Sequence, residues 1–393
     1  MRISISKGDS MSEQNVSVMK FRELSLPSFY GLEHSNKDFS KEDSYGKNTF
    51  TTAFPIALSA YAATERKLPM NYIKAVQKTD GAISTEQVLV PLSSILGIDP
   101  RFAYYSFEDS FSGYDAYAVN TANRSDIVVK DNRNGKEICA LEVKLVAIPT
   151  SSSSNKPIEK QSCELVVRPP SIEQLCFSVA ASYGKARRQE IGDIIVASLG
   201  NPIDYEWAQS DFMMKHRHEI LDASINIVKN CLDNQLPLVL MGTWRTNGQE
   251  PELADECFDS FYWSNLAFLQ LFTNGMIESI EKNAKAISRP ERALIWFIKS
   301  MFDYSAQGSV QFERTHSLVT FGAQTDKAGS FTDARILKFV SSDNFIHPRI
   351  RKEERSEIIN DEALALLKPE RRLDAVLMSE RMKELFSSEA IEF

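Results

Sequence analysis

The chain predicts an α/β fold: a mixed central sheet flanked by helices, with an added C-terminal α+β region. Three observations carry that expectation. Two short apolar runs, 127–129 and 138–141, flank the polar knot Asp131-Asn132-Arg133-Asn134-Gly135-Lys136. Such runs on both sides of an Asn-Gly pair read as a hairpin, because Asn and Gly accept the positive φ of a tight turn. The stretch 236–244 is apolar almost throughout, as in a strand covered on both faces. Apolar residues at helical spacing lie before and after the hairpin: Ala57, Leu58, Tyr61 and Ala62, then Ile172, Leu175 and Val179.

The elements follow in order. Residues 1–20 form a polar lead-in without periodicity, and 29–50 are a loop-like run of Gly, Asn and aromatics. A helix is expected over 54–67, short strands over 87–92 and 102–107, and a lead-in to the hairpin over 115–119. After the hairpin come a polar connector (149–157), a third strand (163–167), and a helix that starts at Pro170-Ser171, with Ser171 as its cap and Gln174 on it. Residues 194–199 read as an apolar core segment and 205–234 as one long helix. That helix carries Lys215-His216-Arg217-His218, whose histidines, two apart, fall on different faces. Shared metal ligation is therefore disfavoured, and the tetrapeptide reads as a solvated basic face that can touch phosphates. Residues 257–302 are helical and aromatic-rich, mainly core, with base stacking as the other reading. Pro290 marks a helix start. Strands are expected over 310–321 and 335–340, and near the C-terminus Arg371 and Arg372 face Glu370 and Asp374 as ion pairs.

At 393 residues, 43% hydrophobic and 25% charged, the chain reads as an ordinary globular protein, one large domain plus a module or two domains. No apolar run is long enough to cross a bilayer, and there is no signal-peptide core. Five cysteines without CxxC spacing argue for reduced thiols in a cytoplasm and against a zinc knuckle. A net charge of −8 neither advertises nor excludes nucleic acid, since local basic clusters decide.

The chemistry concentrates in the hairpin. Alternation puts Glu142 and Lys144 on one face of their strand, and strand pairing brings Asp126 near them. Two carboxylates and an ammonium suit a hard divalent cation and an attacking water. Asp126 followed sixteen residues later by Glu142-x-Lys144 resembles the PD-(D/E)xK nuclease signature, with Ser125 in place of its proline. In that nuclease fold the helix after the catalytic strands packs beside the site, where Gln174 can help position water or substrate.

A more specific resemblance lies in five pieces and their order: Gly31-Leu32-Glu33-His34-Ser35-Asn36, Tyr45-Gly46-Lys47-Asn48, Phe54-Pro55, Ser125-Asp126-Ile127-Val128 and Leu141-Glu142-Val143-Lys144-Leu145. Together they resemble the HindVP family of type II restriction endonucleases. The resemblance implies a Mg²⁺-dependent enzyme of the prokaryotic cytoplasm that cuts double-stranded DNA at a short, partly degenerate palindrome of the GRCGYC type. It also implies a cognate methyltransferase as functional partner, and a two-fold target suits a homodimer.

On this reading Asp126 and Glu142 hold Mg²⁺, with the Val143 carbonyl and Glu65 of the N-terminal helix as further ligands. Lys144 stabilises charge on the phosphorane or orients the water. The nuclease domain is expected to span 21–246, and 247–393 to serve recognition and dimerisation. Candidate DNA contacts are Lys47 and Asn48; Ser152, Ser153 and Lys156 of the connector; and Arg335, Lys338, Asn344, His347, Arg349, Arg351 and Lys352 of the most basic region. The alternatives are a non-cleaving DNA- or RNA-binding protein on this fold and a repair nuclease without sequence choice.

Overall fold

The structure, a computed structural model, describes residues 28–33, 44–148, 162–167, 169–247, 250–253, 260–321, 335–340 and 369–378. For 44–51, 144–148, 162–167, 241–247, 250–253, 260–261, 335–340, 369 and 376 it describes the backbone alone. Seven strands run side by side in one mixed sheet. They are β10 (Arg335–Val340), β6 (Ser162–Val167), β5 (Glu137–Ile148), β7 (Pro237–Asn247), β9 (Ser260–Ser264), β1 (Met70–Gln77) and β2 (Ile83–Val90). Off this path, β3 (Ala103–Asp109) pairs with β4 (Ser125–Asp131), β4 pairs with β5, and β8 (Glu250–Leu253) pairs with β7. β5/β7 and β1/β9 are parallel, and the other pairings are antiparallel.

Helices cover both faces. On one side lies α1 (Ser44–Glu65), whose residues from Ala53 to Ala62 are all buried. They pack with Ile127, Val129, Cys139 and Leu141 of the hairpin. On the other side lie α4 (Pro169–Tyr183), α5 (Arg188–Leu199), α8 (Arg217–Lys229), α9 (Asn265–Glu281) and α10 (Arg289–Gln307). Their core includes Ala140, Leu238, Val239 and Trp263 from the sheet. The hairpin therefore shows one parity of residues to α1 and the other to α4, as period-two alternation requires. The expected layered α/β sheet is what forms.

Local structure departs from expectation at defined places. α1 begins at Ser44, so Lys47 and Asn48 lie in a helix rather than a loop. The hairpin turn is wider than a two-residue turn: Gly135 takes the positive φ (+73°), and Asp131 O accepts from Gly135 N–H at 2.7 Å. The expected long helix over 205–234 is three helices, α6 (Asp204–Trp207), α7 (Ser210–Lys215) and α8. The expected strand over 310–321 is instead α11 (Phe312–Leu318). Its Phe312 and His316 rings meet Trp296 edge-on at 5.6 and 4.9 Å, and Trp296 Nε1–H donates to Val319 O at 2.7 Å.

The boundary expected near 246 does not divide the fold. Strand β7 runs through it, β9 and β10 complete the same sheet, and α9 and α10 share one core with α4, α5 and α8. The final described helix, α12 (Pro369–Leu377), ties back to the N-terminal segment: Phe29 N–H donates to Asp374 Oδ2 at 2.8 Å, and Arg371 pairs with Asp374 at 3.0 Å. The ion pairing expected there is thus present for Arg371. Cys139, Cys176 and Cys231 are buried free thiols, the first pushed up to about 12 by burial. Among the described residues no helix is long and apolar enough to cross a membrane.

Gly31 locks the N-terminal segment onto β3. Its φ is +85°, and a Cβ there would sit 2.7 Å from Ala103 O and 2.8 Å from the Tyr105 ring. Gly31→Ala is expected to destabilise the protein by about 1–3 kcal/mol, the scale of a strained backbone position. Urea unfolding should show a lower midpoint at an unchanged m-value, and an unchanged midpoint would contradict this placement.

Candidate active site

Glu142 sits where β5 changes partners. β4 runs antiparallel beside its first half (Ile127↔Leu141, Val128↔Ala140, Val129↔Cys139), while β7 runs parallel beside Glu142 to Ile148. Continuing the β4/β5 register by one residue sets Asp126 opposite Glu142. Directly opposed residues of an antiparallel pair present side chains to the same face, with Cβ atoms about 4.5–5.5 Å apart. An independent contact agrees: Val143 N–H donates to Asp126 Oδ2 at 2.7 Å. Asp126 is half-buried and Glu142 is 8% exposed. Lys144 lies two residues on in β5, its backbone in register with Met241.

The surroundings of the pair are polar and built. Ser171, in the first turn of α4, donates its hydroxyl to Glu142 Oε1 at 3.3 Å. This corrects its expected role as the cap of that helix. Tyr114, in α3 (Ser112–Asp115), stacks on Phe177 of α4 at 5.6 Å. Burial raises its hydroxyl pKa, and the nearby Glu142 charge pushes the same way. The expected helical residue Gln174 is buried one turn after Ser171. Glu173, between them, lines a polar cavity of about 240 Å³ with Asn120, Asn123, Gln311 and Glu313. Burial raises its carboxyl above the usual range.

Two acidic residues of β3 lie at and beside the register position of Asp126. Between the pairs Phe107↔Ile127 and Asp109↔Ser125, Glu108 falls opposite Asp126, at a left-handed φ of +49°. Asp109 is ion-paired to Lys130 and accepts from Ser106 at 2.7 Å. No short-range motif marks either residue; only the β3/β4 register brings them there.

Glu65 does not join the pair. It ends α1, exposed, with its charge acting on Tyr30, whose ring meets Tyr61 at 5.2 Å. α1 covers the face of Ile127, Val129 and Leu141, whereas Asp126 and Glu142 have the opposite parity and lie toward α4. Among the described residues no group of three or more His, Cys, Asp or Glu is arranged to hold a metal ion. Arg217 is not part of a solvated basic face: it is buried, paired to Glu291 at 2.8 Å. Arg335 and Lys338 are on β10, two strands from β5, in register with Val167 and Glu164. Ser152, Ser153, Lys156, Asn344, His347, Arg349, Arg351 and Lys352 lie outside the described residues.

A mixed sheet between two helical layers, with Asp126 and Glu142 on adjacent strands, has the architecture of an α/β nuclease fold. Comparison with known families makes the assignment particular. The chain belongs to the HindVP restriction endonuclease family, whose model matches residues 45–386. It is 30% identical over 363 residues to the type II restriction enzyme HgiDI of Herpetosiphon aurantiacus, covering 91% of this chain and 97% of that protein. It is 27% identical over 369 residues to a probable type II restriction enzyme, HindVP, of Haemophilus influenzae, covering 92% and 95% respectively. No solved structure matches. The protein is accordingly a restriction endonuclease, a site-specific deoxyribonuclease.

Proposed function

We propose that this restriction endonuclease is of type II and Mg²⁺-dependent, acts as a homodimer, and cuts at a short, partly degenerate palindrome of the GRCGYC type protected by a cognate methyltransferase. The observation that carries the catalytic part is the placement of Asp126 beside Val143, and so across from Glu142. Two hard oxygen donors on neighbouring strands fit a divalent cation, and one partly shielded from water fits it better, since an uncompensated buried charge is costly. The Val143 carbonyl, one residue after Glu142 in β5, is the proposed backbone ligand.

Asp126 and Glu142 would hold the cation, which would supply Lewis-acid polarisation of the scissile phosphate and acidify the attacking water. The chain's own part is to hold both carboxylates in place from the strand backbones and to supply the Lys144 ammonium. That ammonium either meets the charge that develops on the phosphorane or orients the attacking water. Arg335 and Lys338, with the basic residues 347–352, are the proposed phosphate and base contacts.

Plasmid digestion tests the reading. With Mg²⁺ the protein should give discrete bands with sequence-uniform ends, and none with EDTA. Smears would favour a nuclease without sequence choice. DNA retention without cleavage at any metal concentration would favour a binding protein on this fold. Lys144→Ala should cut roughly 10²–10³ times more slowly, the scale of losing one charge-stabilising donor. A Lys144→Ala enzyme that cuts like wild type would remove Lys144 from the centre.

A further inference from the structure

We infer that Ser171 is a positioning residue for Glu142: its hydroxyl holds the carboxylate in the orientation that faces Asp126. The inference rests on the proposed role of Glu142 in cleavage. Ser171 is 1% exposed, and its hydroxyl reaches Glu142 Oε1 at 3.3 Å from a different element of the fold. The helix that carries it cannot shift easily, because Ile172, Leu175, Cys176 and Val179 of α4 are all buried in the core. The hydroxyl is therefore a fixed point, whereas a glutamate side chain has three torsions to restrain.

A bond to one carboxylate oxygen makes the two oxygens inequivalent and settles which one is turned toward the neighbouring acid. The helix start reinforces this. α4 opens with Pro169-Pro170, which have no N–H to offer, so Ser171 is the first residue of the helix with both a backbone and a side-chain donor. The positive end of the helix dipole also favours a carboxylate at this turn. Serine's intrinsic preference for capping does not explain the contact, because the partner is a side chain on β5 and not the helix backbone. Outer-layer partners of this kind orient metal-ligating carboxylates, and their loss typically costs about 10–100-fold in metal affinity or activity.

The test compares full-length Ser171→Ala, Ser171→Thr and Glu142→Gln proteins. Three quantities are measured for each: thermal midpoint, Mg²⁺ affinity of the DNA-free protein by titration calorimetry, and single-turnover cleavage with DNA affinity taken separately in Ca²⁺. Ser171→Ala is expected to keep the wild-type thermal midpoint and DNA affinity while Mg²⁺ affinity and cleavage rate each fall about 10–100-fold. Ser171→Thr, which keeps the hydroxyl, should recover most of both. Wild-type Mg²⁺ affinity and cleavage in Ser171→Ala would overturn the inference. So would a loss in which Thr is no better than Ala at equal thermal stability, since the hydroxyl would then not matter. If Glu142→Gln itself binds Mg²⁺ and cuts normally, the reading of the acidic pair fails instead. A silent Ser171→Ala beside an inactive Glu142→Gln removes only the positioning role.

Discussion

Glu142→Gln is expected to lower single-turnover cleavage about 10³-fold while the protein still folds and still binds its DNA target in Ca²⁺. The amide is nearly isosteric and can still accept from the Ser171 hydroxyl at the Oε1 position, so packing around α4 is preserved. What disappears is one negative charge in a half-buried acidic pair, and with it most of the attraction for a divalent cation. Asp126→Asn should behave alike for a separate reason. Its amide oxygen can replace Oδ2 as acceptor for Val143 N–H, so the strand junction survives and the metal site does not. Asp126→Ala should additionally lose stability, by about 1–3 kcal/mol, because the Val143 N–H would be left without that partner. If both isosteric variants cleave within a few-fold of wild type, the acidic pair is not the cleavage centre, whatever its resemblance to one.

The parts of this site that could be read from the sequence are those set by short-range rules. The hairpin follows from two apolar runs around Asn-Gly, and once its strands pair, period-two alternation places Asp126 and Glu142 on one face. Both steps use neighbours within about twenty residues. Glu65 failed at the first long-range step. Whether an N-terminal helix covers the acidic or the apolar parity of the hairpin is decided by packing, and α1 covers Ile127, Val129 and Leu141. Glu108 stayed hidden for the same reason, since its position depends on the β3/β4 register. Propensity misled at the start of α1, where Gly46, Asn48 and three threonines are poor helix formers, yet the helix runs from Ser44. It misled again at 312–318, where Trp296 offers an aromatic platform that a helix can meet with Phe312 and His316 together. The breaks in 204–229 carry no Pro or Gly: His216, at φ −102° and ψ 26°, closes α7 and opens α8 with its ring 4.3 Å from Phe212.

The largest expected effect on stability lies at the tetrapeptide that resembled a phosphate-binding face. Arg217 opens α8 and is buried. It pairs with Glu291 at 2.8 Å and donates to Ala284 O at 2.8 Å and Ala286 O at 3.3 Å. Glu291 is fully buried in the first turn of α10. It accepts from Ser279 Oγ at 2.9 Å and from Ser288 N–H, so one carboxylate joins three segments of the helical layer. Glu291→Ala removes all of these acceptors and leaves a buried guanidinium without its counter-charge, a loss of about 3–5 kcal/mol. Urea unfolding should show a midpoint far below that of any surface variant. Arg217→Met should be destabilised too, but its DNA binding should weaken with salt just as steeply as that of wild type, because a buried side chain releases no counterions from DNA. Were the slope of log affinity against log salt to fall by about one in Arg217→Met, the residue would be touching a phosphate after all, and the structural role assigned to it would be wrong.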